Sequence, residues 1–416
     1  MRRPTALLLC FLCAAAGQPS ADNGLAAVKA AIATVRATKG INEEREAGPE
    51  LTPLKHALRA WVETRVATLK QDADLEPVEM QLDAELAAAD LTCDAKPEDP
   101  HRCIGPDGYE DIERGYVGKV ALQRLEDRYL LVTTAVGIRC GTDQSIYLYE
   151  RKQDRWSLLF ASEQDDYAKG HYAPQNFLAV RVSPASVAWN EPAPPPLVLT
   201  LGFAPWCSSN WHSIFTRLWR ATPATPTPRP LIDTDDTLYM GDYEVAEGSV
   251  TSHDALIEFM GRSIDGGVLV RPVVRHYAIG PHDRVRRIAP VALGPDDFVD
   301  EWLTGAWKDV SGWTDRSGSA ALLRRRHARL HKDFLFGEFD DQPRRCRSDR
   351  SLWQVAYHEE PNGDTIGPSF YYLVRWEAPY RFTMVRISER RRRGCDEKDP
   401  MPDNFGTLFP RQDWRR

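Results

Sequence analysis

Two hydrophobic rhythms divide this chain. Up to about residue 91 apolar side chains recur every three or four positions, the spacing that keeps them on one face of a helix. From Tyr109 onward they come in short β-branched and aromatic runs separated by turn residues, the pattern of antiparallel strands.

In the first part, Val28, Ile32 and Val35 form one stripe, Gly40 ends it, and residues 43–49 are a polar linker. Thr52 followed by Pro53 predicts a helix start, a hydroxyl cap with proline in the first turn. Leu54, Leu58, Trp61, Val62, Val66 and Leu69 follow at helical spacing. A second start at Glu76-Pro77 leads into Val78, Leu82, Leu86 and Ala89. Residues 24–91 are therefore expected to fold as a helical hairpin.

The second part reads as three strand-rich stretches. Strands are expected over 119–125, 129–136, 145–149 and 156–160; then 177–182, 197–203 and 213–219; then 256–262, 268–277 and 284–291. Their second strands begin near Leu130, Leu197 and Val268, and two stretches share Ser-Ile-aromatic, at Ser145-Ile146-Tyr147 and Ser213-Ile214-Phe215. Such spacing suggests blade-like units, built into a partial propeller or a sandwich. Proline-rich loops at 192–196 and 222–230 interrupt this region.

A third pattern opens at Asp296-Asp297, acids in the first turn of a short helix, and continues with a basic helix over 320–332. Strands follow at 352–358, 370–376 and 382–388, with a hairpin turn at 377–380. The fold class expected is α+β and mainly antiparallel β. It comprises the helical segment (24–91), an antiparallel β domain (109–295), a C-terminal α+β module (296–398) and a polar tail (399–416).

Residues 1–17 change the picture of where the chain works. Arg2-Arg3, a short apolar stretch from Leu7 to Leu12 and small residues at Ala14-Ala15-Ala16-Gly17 have the layout of a secretory signal. That stretch is too short to span a bilayer, which takes about 20 apolar residues, so no transmembrane segment is expected in the mature chain. Removing it takes away Cys10 and Cys13 and leaves an even set: Cys93, Cys103, Cys140, Cys207, Cys346 and Cys395. Disulfides persist in oxidising compartments, and local context suggests Cys93–Cys103, Cys140–Cys207 and Cys346–Cys395. A secreted or periplasmic location is the expectation.

Charge is uneven. Residues 316–416 carry 21 Lys/Arg against 15 Asp/Glu, a net of +6; residues 1–315 carry 32 against 45, a net of −13. Arg390-Arg391-Arg392-Arg393 concentrates that basic character beside Cys395, and guanidiniums bind oxyanions in bidentate forks. The competing reading is a solvated turn paired with Asp396, Glu397 and Asp399. Trp206 and Trp211, in the loop around Cys207, are candidates to stack on a ligand.

Candidate chemistry is sparse. His276, His282 and Asp283 in one loop, with Asp242 nearby in sequence, are the weak candidates for acid–base catalysis. His327 and His331 lie one helical turn apart, but Ala328 replaces the glutamate of a metalloprotease motif and arginines crowd both sides. Acidic pairs at Asp165-Asp166, Asp235-Asp236 (with Asp233 and Glu244 nearby) and Glu359-Glu360 read as solvated loop acids. No phosphate loop, dinucleotide fingerprint or complete zinc spacing occurs in the sequence, so no cofactor, metal or nucleic-acid partner is expected. The leading expectation is an extracytoplasmic binding or interaction protein whose partner is an anionic glycan, a lipid headgroup or a protein. The alternative is an extracytoplasmic hydrolase acting on glycans or other cell-envelope material.

Overall fold

The computed structural model describes residues 21–38, 48–96, 99–104, 111–112, 115–125, 127–138, 141–153, 155–163, 174–183, 195–205, 211–222, 228–240, 247–262, 270–316, 320–333, 337–339, 342–359, 368–377 and 381–398. The signal-like segment 1–17, the tail 399–416, Cys140, Trp206, Cys207 and Asp242 lie outside them.

Three helices come first: α1 (Ala21–Ala37), α2 (Leu51–Val66) and α3 (Leu75–Ala88). The predicted stripes are buried, with Val28, Ile32, Leu54, Leu58, Trp61, Val62, Leu82 and Leu86 in one core. Each such aliphatic or aromatic side chain contributes about 1.5–3 kcal/mol by leaving water. The starts differ slightly from expectation. Helix α2 begins at Leu51, with Glu50 at its N-cap providing no side-chain capping bond. Helix α3 is capped by Asp74, whose carboxylate accepts from the Glu76 N–H.

A small antiparallel sheet of β1 (Asp94–Lys96), β2 (Asp99–Ile104) and β3 (Asp111–Ile112) leads into the β body. That body holds three consecutive four-stranded antiparallel sheets, each with its strands in chain order. The first is β4 (Ala121–Leu125), β5 (Tyr129–Ile138), β6 (Gly141–Lys152) and β7 (Arg155–Ser162); the second is β8 (Asn176–Val182), β9 (Leu197–Phe203), β10 (Trp211–Arg220) and β11 (Ile232–Met240). The third is β12 (Glu247–Val250), β13 (Asp254–Arg262), β14 (Val270–Ile279) and β15 (Val285–Arg287).

Shared cores stack these layers in sequence order. Leu130, Val132, Tyr147 and Trp156 of the first sheet face the helices. Its opposite face, Leu131, Ile146, Leu148 and Phe160, meets Val198 and Trp219 of the second sheet. The second sheet then turns Leu197, Leu199 and Ile214 onto Ala255, Ile257 and Val273 of the third. The two Ser-Ile-aromatic segments thus play one role twice: both lie on the third strand of their sheet, and Ile146 and Ile214 each point to the next sheet. In the third sheet the stretch read as a second strand is β14, third in order, because the short β12 precedes it.

Edge strand β4 is shielded by the helices. Carboxylates of α3 accept N–H groups at this edge, Asp83 from Val120 just before the strand at 3.3 Å and Glu79 from Leu122 within it, which blunts an edge that would otherwise pair with another chain.

The C-terminal module contains α4 (Pro295–Thr304), the single turn α5 (Trp307–Val310) and α6 (Ala320–Asp333), packed on a six-stranded sheet. Its strands are β16 (Gly337–Phe339), β17 (Arg344–Cys346), β18 (Leu352–Glu359), β19 (Ser369–Glu377), β20 (Arg381–Ser388) and β21 (Cys395–Glu397). The order is β20-β19-β18-β17-β21, with β16 also on β18. Phe298, Trp302, Leu323 and Leu330 of the helices bury Val355, Tyr372 and Met384 of the sheet. Glu301 of α4 ties this module to the third sheet. Its Oε2 lies 2.7 Å from both Arg275 and Arg287, all three side chains being under a tenth exposed. No helix among the described residues is long and apolar enough to cross a membrane.

Candidate functional site

The four-arginine run sits on a pinned bridge. After β20 ends at Ser388, the chain crosses to β21, where Cys395 is bonded to Cys346. Along the way the Arg392 N–H donates to Gln354 Oε1 of β18 at 2.7 Å, and the Arg347 N–H donates to the Gly394 carbonyl at 2.8 Å. The Ser388 hydroxyl closes the near end on the Arg390 carbonyl. Gly394 takes φ +80°, a left-handed turn that suits glycine, immediately before the disulfide. Of the expected disulfides, Cys346–Cys395 is formed. Cys93 is also disulfide-bonded; the side chain of Cys103 and both Cys140 and Cys207 lie outside the described residues.

Arg390, Arg391, Arg392 and Arg393 are all exposed. The neighbouring acids are engaged elsewhere: Asp396 pairs with Arg347 at 2.9 Å, Glu397 with Arg350 at 3.3 Å, and Glu389 with Arg326 of α6 at 3.7 Å. Among the described residues none of the four guanidiniums forms an ion pair. Asp349 feels the charge of this bridge. Hydrogen bonds from the Ser351 hydroxyl and N–H hold its carboxyl below the ordinary value, with smaller help from Arg375 and Arg392. With no ion pair among the described residues, these four guanidiniums on a fixed backbone present a donor array to an oxyanion.

Two of the catalytic candidates, His276 and Asp283, are engaged by other groups. His276 on β14 has both ring nitrogens occupied: Nδ1 is 2.9 Å from the Ala289 carbonyl oxygen and Nε2 is 2.5 Å from Asp254 Oδ2. A carbonyl and a carboxylate both accept, so neither nitrogen is presented to a substrate. His282 is exposed on a tight turn at φ 58°. Asp283, at φ 57°, receives Arg220 Nε at 2.7 Å rather than either histidine. Asp242 lies outside the described residues, as do Trp206 and the side chain of Trp211.

His327 is a core residue. It is 2% exposed, lies 3.0 Å from the Gly305 carbonyl through Nε2, and packs against the rings of Trp302 and Trp307. The His331 side chain lies outside the described residues. Among those residues no three His, Cys, Asp or Glu side chains are grouped to hold a metal ion. Asp233 pairs with Arg217 at 3.0 Å, and the side chains of Asp235 and Asp236 lie outside the described residues, as do Asp165, Asp166, Glu244 and Glu360. An open pocket of about 550 Å³ is lined by Asp127, Arg128, Glu150, Arg151 and Lys152, none of them among the sequence candidates.

A buried polar cluster beneath α2 has no counterpart in the sequence reading. Lys55 Nζ lies 2.6 Å from Asp143 Oδ2, both side chains almost fully enclosed. Glu163 receives Arg59 Nη1 and the Tyr147 hydroxyl, each at 2.8 Å. Burial, and then the Glu163 charge, pushes the Tyr147 hydroxyl well up. The Glu63 carboxyl is likewise raised by burial, against the pull of Arg59. These groups clamp the helices to the first sheet. One signal for Lys55 was readable: it lies four residues after Leu51 and three before Leu58, on the apolar stripe itself.

Comparison with protein-family models, curated proteins and solved structures finds no match to this chain.

Proposed function

We propose that this chain is an extracytoplasmic binding protein that engages an anionic ligand through the arginine bridge between β20 and β21. One observation carries the reading: Arg390 to Arg393 stand exposed on a backbone held at both ends, while the described acids beside them, Glu389, Asp396 and Glu397, are paired with Arg326, Arg347 and Arg350. The two-arginine start, apolar stretch and small residues of the N-terminus, together with the Cys346–Cys395 bond, support the location. The occupied ring nitrogens of His276 and the pairing of Asp283 with Arg220 weigh against the hydrolase alternative.

The test is retention of the purified chain on a sulfated-polysaccharide column. Retention that falls with rising salt is expected for the unchanged chain. Replacing Arg390, Arg391, Arg392 and Arg393 by serine should abolish it while leaving the circular dichroism spectrum intact. Equal retention of both proteins would reject the patch.

A further inference from the structure

The bridge is only part of a larger charged face. One side of the six-stranded sheet is the apolar core under α4 and α6, built on Val355, Tyr357, Tyr372 and Val374. The other side has a small floor of Cys346, Leu352, Leu373 and Cys395. Cross-strand partners share a face, and Arg375 lies opposite Leu352 while Arg386 lies opposite Leu373. Both arginines therefore rise from the side that the bridge crosses, where Arg392 hangs from Gln354. Asp349 feels Arg375 and Arg392 together, which places those two charges in one neighbourhood.

Arg386 is exposed and Arg375 half-buried, and neither forms an ion pair among the described residues. Arg344 on β17 lies three strands from Arg386 in the order β20-β19-β18-β17, roughly 14 Å at about 4.8 Å per strand. That reach exceeds a single sulfate, phosphate or carboxylate, which one or two guanidiniums satisfy. Among the described residues the face also lacks an apolar wedge. The two large apolar side chains exposed among the described residues are Met80 on α3 and Leu322 on α6, and α6 packs against the opposite side of this sheet. A surface that binds bilayers combines basic residues with apolar ones that enter the headgroup layer.

Resting on the anion-binding reading above, we infer that this face binds a linear acidic glycan, with Arg375 and Arg386 as binding residues alongside the bridge. The repeated sulfate or carboxylate groups of such a chain run across the strands, so several guanidiniums are engaged at once.

The experiment measures binding of the full chain to heparin fragments of increasing length, to free sulfate, and to phosphatidylserine vesicles, over a range of salt. Affinity should climb with fragment length until the face is spanned, and free sulfate should bind at least about a hundredfold more weakly than the longest fragment. The double variant Arg375→Ser/Arg386→Ser should bind the longest fragment about tenfold more weakly, with a salt slope shallower by about two. If that variant does not fold, Arg386→Ser alone carries the test, with a slope shallower by about one. Unchanged affinity and slope in a folded variant, or free sulfate binding as tightly as the long fragment, would overturn the extended face and leave the bridge as a simple anion site. Vesicle binding without fragment binding would overturn the glycan in favour of a membrane surface. Failure of the unchanged chain to bind any of the three would remove the anion-binding reading along with it.

Discussion

Glu301→Gln should destabilise the join between the third sheet and the C-terminal module more than any nearby surface change. The native carboxylate is 1% exposed and lies 2.7 Å from two guanidiniums that are themselves 7–8% exposed. Burial already presses the Arg287 guanidinium below its ordinary value, and the Glu301 charge is the main force holding it up. The amide keeps the shape and one acceptor oxygen but removes the negative charge from both contacts. Breaking a buried pair from one side costs about 3–5 kcal/mol, because the remaining charge stays desolvated. With a urea m-value of about 2 kcal/mol/M, the midpoint should fall by roughly 1.5–2.5 M.

Trp302 and Trp313 report on the site, since Trp302 follows Glu301 in the chain and the Arg287 guanidinium stacks 5.2 Å from the Trp313 ring. Equilibrium urea unfolding followed by tryptophan emission is therefore the assay. Replacing Arg275, Arg287 and Glu301 together by methionine should recover most of the loss, as apolar substitutes for buried ions often do. A loss below about 1 kcal/mol for Glu301→Gln would refute the reasoning, because it would mean the two guanidiniums do not depend on this carboxylate.

Two other perturbations have expected outcomes. Replacing Cys346 and Cys395 by alanine opens a crosslink of sequence separation 49; chain entropy puts the cost at about 4 kcal/mol, to be read as a lower melting temperature, and an unchanged melt would contradict it. Glu63→Gln tests the raised, partly exposed carboxyl on α2. The folded chain holds that proton more tightly than the unfolded one, so the ionisation penalty is absent below the ordinary value of 4.5 and complete once pH exceeds the raised value. The variant should therefore melt above the unchanged chain near pH 8 and lose that advantage towards pH 4, whereas a difference independent of pH would sink the assignment.

The arginine bridge shows how local and distant information divide. That residues 390–393 form a basic run beside a cysteine is plain in the sequence. The acids expected to neutralise it are equally plain, yet Asp396 and Glu397 pair with Arg347 and Arg350, which are more than 45 positions away. The choice follows from the β17–β21 pairing, which sets Arg345 opposite Glu397 and Cys346 opposite Cys395. Arg375 and Arg386 carried no sequence signal as partners of the bridge, because cross-strand register alone puts them on its face.

The sequence by itself determined which residues leave water. The 3.6-residue stripes of α1 to α3, most strand runs of the three sheets and the repeated Ser-Ile-aromatic segments came from local periodicity, because one face of each element must be covered; β11, whose run is broken by Asp233, Asp235 and Asp236, was not read as a strand. Periodicity weakens where strands are short or contain glycine, so β12, with Gly248 in four residues, escaped it. Tertiary structure alone decided which face meets which layer, that Lys55 finds Asp143 inside a core, that His276 is committed to Asp254 and Ala289, and that the arginines of β19, β20 and the bridge share one surface. Burial is a property of one segment's composition, whereas charge partners and converging side chains depend on pairings between segments far apart in the chain.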